Sequence, residues 1–65
     1  MLIKFRFNNN NKVAFACDYL DFERIRLWIK AYVGENISIS LDPNDVRRGY
    51  ITEEGKLKCY FDIQE

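Results

Sequence analysis

The sequence predicts an α+β domain, with one amphipathic helix packed on one face of a mixed or antiparallel sheet of about five strands. Three observations predict it. Residues 18–34 carry apolar side chains at helical spacing between a capping Asp18 and a stopping Gly34. The segments on either side alternate apolar and polar residues with the period of a half-buried strand. Five Phe, four Tyr and one Trp supply large side chains that fill a small core efficiently.

The first strand is Leu2 to Phe7. Ile3, Phe5 and Phe7 share one side, and Lys4 and Arg6 the other. Asn8 to Asn11 reads as a four-residue hairpin loop, because Asn tolerates positive φ and bonds its own backbone. Lys12 to Cys17 alternates again, with Val13, Phe15 and Cys17 inward and Ala14 and Ala16 outward.

In the helix, Asp18 caps the start, an acidic first turn suits the dipole, and Cys17 and Phe22 stand at staple positions. At about 100° per residue, Phe22, Ile25, Trp28, Ile29, Tyr32 and Val33 form one stripe. Glu23, Arg24, Arg26 and Lys30 lie off it, as do Leu27 and Ala31, one turn apart.

Asn36 to Leu41 turns Ile37, Ile39 and Leu41 inward and Ser38 and Ser40 outward. Asp42 to Gly49 has the punctuation of a short helix: an Asp cap, Pro43 next, arginines in the last turn and a closing glycine. A plain turn into a strand at Val46 is the alternative. Tyr50 to Thr52 and Lys56 to Ile63 flank Glu53-Glu54-Gly55, which fits a bulged three-residue hairpin. In the last strand Leu57, Cys59, Phe61 and Ile63 face inward; Lys58 and Tyr60 are among those that face outward.

The order strand, strand, helix, strand, short helix or turn, strand, strand resembles the β-grasp, or ubiquitin-like, arrangement. The resemblance spans the chain, rests on element order and carries no motif. It implies that the first strand lies between the second and the last. Cys17 and Cys59 would then be one strand apart, roughly 10 Å. A disulfide needs Cα atoms within about 7 Å, so two free thiols are expected. The chain ends Ile63-Gln64-Glu65, without the Gly-Gly of conjugated modifiers, so conjugation is not implied.

Ten basic and ten acidic residues cancel. A neutral chain has no long-range attraction for phosphate, so composition does not favour nucleic acid as the partner. Neutrality does favour association with itself or with a permanent partner. Lys4 and Arg6 interrupt any leader-like apolar run, and no stretch approaches the roughly 20 apolar residues of a membrane span. A single cytoplasmic domain with reduced thiols and no membrane contact is expected.

Chemistry is sparsely supplied. The chain has no His, the commonest general base and metal ligand near neutral pH. It has no nucleophile elbow, phosphate-binding loop or dinucleotide fingerprint. Asp18 with Asp21, and Asp42 with Asp45, have a spacing that can hold a hard cation, but it is also that of helix starts. No catalytic residue, metal site or cofactor is expected.

Surfaces remain. One helix covers one face of a sheet, so Lys4, Arg6, Lys58 and Tyr60 should stand on the open face among small Ala14, Ala16, Ser38 and Ser40. Cations and an aromatic there suit a single strand of nucleic acid or a protein. On the helix's outer side, Leu27 and Ala31 between Arg24 and Lys30 make an apolar spot with a basic rim. Arg47 and Arg48 in the loop suit carboxylate or phosphate. The function expected is a non-enzymatic protein-binding module, of the size and make-up of phage or mobile-element effectors that inhibit a host protein. A single-stranded nucleic-acid-binding module on the open face is the alternative, and a subunit that self-associates as a homodimer is the third.

Overall fold

The structure, a computed structural model, describes residues 1–64. The elements are β1 (Leu2–Phe7), β2 (Lys12–Ala16), α1 (Phe22–Ile29), β3 (Ile37–Asp42), β4 (Asp45–Glu53) and β5 (Lys56–Gln64). The strands form one sheet in the order β2-β1-β5-β4-β3. Every neighbouring pair is antiparallel. β1 lies between β2 and β5, as the β-grasp likeness implies, but β1 and β5 pair antiparallel, whereas a β-grasp pairs its first and last strands in parallel, so the likeness stops at strand placement. The consecutive strands β2 and β3 are the two edges, so α1 must carry the chain across one face.

That face holds the core. Ile3 and Phe5 of β1, Ile25 and Ile29 of α1, Ile37, Ile51, Cys59, Phe61 and Ile63 are buried. Each large side chain removed from water stabilises by roughly 1.5–3 kcal/mol. The helix is tied towards both edges. Trp28 stacks on Phe15 of β2 with ring centroids 4.7 Å apart, and Arg26 Nη1 donates to the Ile37 carbonyl of β3 at 2.6 Å.

The helix is shorter than its apolar pattern. Asp21 is the cap in place of Asp18, its carboxylate accepting from the Glu23 N–H at 3.0 Å. Geometry explains the choice. A helix begun at Asp18 would point Leu20 about 160° away from the Ile25–Ile29 stripe. Breaking at Asp21 lets Leu20 pack against the core, and puts Leu20 and Ile25 at the staple positions assigned to Cys17 and Phe22. At the other end the turn tightens after Ile29. Tyr32 and Val33 both donate to the Ile29 carbonyl, and Gly34, at φ 136°, closes the segment. Phe22 and Tyr32 are therefore exposed at the margins of the stripe, where Tyr32 stacks on Phe7.

Asp42 to Gly49 is not a helix. Asp42 and Asp45 pair across Pro43-Asn44, and the chain enters β4 directly, as in the turn-to-strand alternative. The aspartates cap backbone N–H groups of this turn: Asn44 donates to Asp42 at 2.8 Å and Arg47 to Asp45 at 3.0 Å. A single helical turn here would have no apolar face to bury, whereas a strand gains a ladder with β5, beginning at Arg48 opposite Asp62.

The last hairpin also differs. Glu53 pairs with Lys56, so the loop is the two residues Glu54-Gly55, both at positive φ (51° and 82°). Such loops match the twist of their strands. The irregularity moves into the ladder, where Ile51 faces Cys59 but Thr52 faces Leu57. Leu57 thereby leaves the core face expected of it and is 37% exposed.

Both thiols are free. The Cys17 backbone N–H donates to the Met1 carbonyl at one end of β1, while Cys59 faces Phe7 at the other. They are kept apart by the length of a strand as well as by its width.

Candidate functional site

Because the helix covers one face, the other is left to its side chains. Strand alternation and register arrange them in rows across the sheet. One row runs Lys12, Arg6, Tyr60, Tyr50, Ser40 from β2 to β3. The next runs Ala14, Lys4, Asp62, Arg48. Tyr50 and Tyr60 are directly opposed, which places their Cβ atoms about 5 Å apart. They are 39% and 46% exposed.

Arg6 carries its guanidinium carbon 5.8 Å from the centre of the Tyr60 ring, within cation–π range. Arg48 Nε lies 3.2 Å from Asp62 and 3.8 Å from Asp45. Lys4, Lys12, Arg6 and Arg48 are all exposed. Among the described residues, the acids of this face are Asp62 and, at its rim, Asp42 and Asp45. Its four cations thus exceed its acids by one, a small positive surplus. Arg6, Arg48, Tyr50, Tyr60 and Asp62 line a shared depression there.

Three of the four residues expected on this face, Lys4, Arg6 and Tyr60, come together. Lys58 does not. It sits at the ladder irregularity and lines a separate depression with Phe7, Asn8 and Tyr32 at the end of the sheet. Arg48, read as the end of a loop helix, joins the open face instead. Arg47 alternates to the other side of β4 and is exposed. Lys12 and Tyr50 are additions. Lys12 has the same parity as Ala14, which was placed outward. Tyr50 precedes the inward Ile51, and that neighbour was the available signal.

On the helix, Arg24, Leu27, Lys30 and Ala31 are all exposed, Leu27 by 73%. Lys30 pairs with Glu35 at 3.1 Å, which offsets part of the basic rim. The patch therefore rests on one leucine and one alanine.

Burial pushes the Cys59 thiol up from 9.0 to about 11, so it stays protonated and unreactive at neutral pH. Among the described residues no group of three acidic, His or Cys side chains is placed to hold a metal ion. Nor is any helix long and apolar enough to cross a membrane. No protein-family model, curated protein or solved structure matches this chain.

Proposed function

We propose that this chain is a non-enzymatic binding module whose open sheet face takes single-stranded nucleic acid. The row Lys12–Arg6–Tyr60–Tyr50 carries this reading. Two adjacent exposed rings offer stacking surfaces to successive bases, each worth about 1–3 kcal/mol. The cations beside them neutralise the phosphates between those bases. A duplex hides its base faces and would not use the rings, so single strands are the better fit. The second tyrosine raises this alternative above the protein-binding reading favoured by composition. A cytoplasmic setting, with both thiols reduced, is part of the proposal.

Labelled single-stranded DNA and RNA, followed by fluorescence anisotropy at low salt, test it. Binding at tens of micromolar or tighter is expected, and its absence overturns the proposal. The logarithm of affinity should fall with the logarithm of salt with a slope of about −3 if four cations engage phosphate. Lys4→Glu with Arg6→Glu should abolish binding. Tyr50→Ala with Tyr60→Ala should weaken it at least tenfold with little change in the salt slope.

The exposure of Leu27 favours a second reading, in which the helix's outer side, with Arg24, Lys30 and Ala31, docks a protein: a host protein inhibited by a phage or mobile-element effector, or a second copy of this chain. Light scattering that shows a dimer, made monomeric by Leu27→Asp, would favour the self-associating form.

A further inference from the structure

The open face has one feature that phosphate attraction alone would not select. Asp62 stands at its centre, with Lys4 beside it on β1 and Arg48 beside it on β4. Arg48 holds it at 3.2 Å, yet its side chain remains 56% exposed, so a ligand can reach the carboxylate. Tyr60 and Asp62 are alternate residues of one strand on the same face, about 7 Å apart along it. A base stacked on the Tyr60 ring is therefore brought within reach of Asp62. An ionised carboxylate only accepts hydrogen bonds. It will pair with an exocyclic amino group and repel a carbonyl oxygen.

Resting on the nucleic-acid reading above, we propose that Asp62 reads the base stacked on Tyr60, accepting a hydrogen bond from its exocyclic amino group. Among pyrimidines this selects cytosine, whose N4 donates, over thymine or uracil, whose O4 accepts at the same position. Arg48 orients the carboxylate, while Arg6 stays against the Tyr60 ring.

The test compares oligo-dC and oligo-dT of equal length, about twelve nucleotides, at neutral pH and low salt. The two have the same charge, so backbone attraction cancels in their ratio. The wild type should bind oligo-dC about fivefold more tightly or better. Asp62→Ala should bring the ratio to about one, chiefly by strengthening oligo-dT binding as the repulsion is removed. Asp62→Asn, whose amide both donates and accepts, should do the same. Far-UV circular dichroism checks that these exposed-site variants fold. Equal binding of the two oligonucleotides by the wild type, or a ratio that Asp62→Ala leaves unchanged, overturns the inference while the nucleic-acid reading stands. If neither oligonucleotide binds, both fall together.

Discussion

The two faces of the sheet carry different kinds of side chain. On the covered face, Ile3, Phe5, Ile51, Phe61 and Ile63 meet Ile25 and Ile29 of the helix, and no charged side chain is buried there among the described residues. On the open face, alternate residues of the same strands are Lys4, Arg6, Arg48, Tyr50, Tyr60 and Asp62. Neighbouring residues of one strand thus serve opposite ends. A chain of this length has few residues to spare for stability, and the core on the covered face takes all seven of its isoleucines.

Adjacent residues of β5 give the sharpest test of that division. Phe61→Ala should cost about 3–5 kcal/mol in denaturant unfolding, enough to unfold much of a domain this small. Tyr60→Ala should cost under about 1 kcal/mol and be felt in binding instead. Similar losses from both would end the division.

Cys59 extends the test to pH. Its thiol is raised from 9.0 to about 11 by burial. The unfolded chain releases this proton first, so the stabilisation is complete below pH 9 and is lost as pH rises through 11. The loss amounts to about 2–3 kcal/mol. Unfolding midpoints across that window should fall more steeply for the wild type than for Cys59→Ala. Equal slopes would mean that the thiol is not sealed beneath the helix.

Gly49 lies on the covered face, where a Cβ would run into the Phe61 ring and the Ser40 carbonyl. Gly49→Ala should cost about 2 kcal/mol. The smallest effect is expected at Leu27, where Leu27→Asp should stay within about 0.5 kcal/mol. Unfolding by Leu27→Asp would show that the helix presents a different side to the sheet.

The sequence made the covered face legible because burial enforces strict alternation, as at Ile3, Phe5 and Phe7 or at Cys59, Phe61 and Ile63. It misled where two structures share one set of signals. Asp-Pro and Arg-Arg-Gly punctuate a short helix and a turn equally well, and only pairing with β5 decides between them. That ambiguity also hid Tyr50 and moved Arg48 into a loop. Lys58 and Leu57 were misplaced for another reason: a ladder irregularity shifts register without changing the composition on either side. The helix starts at Asp21 and not at Asp18 because the direction of Leu20 decides between two residues of equal capping chemistry.

The central ladder joins opposite ends of the chain, since Leu2 pairs with Gln64 and Phe7 with Cys59. Hairpins β1–β2 and β3–β4 can form from nearby residues, but the sheet stays in two halves until β5 is made and closes against β1. Assembly is therefore governed by a contact between the most distant parts of the sequence. Such non-local closure belongs to the millisecond-to-second range of folding rather than the microseconds open to helical proteins of this size. While a nascent chain awaits its last strand, the apolar side of β1 is without the neighbour that will cover its inner edge. That interval is when the chain is most vulnerable to proteases and to pairing with the wrong strand.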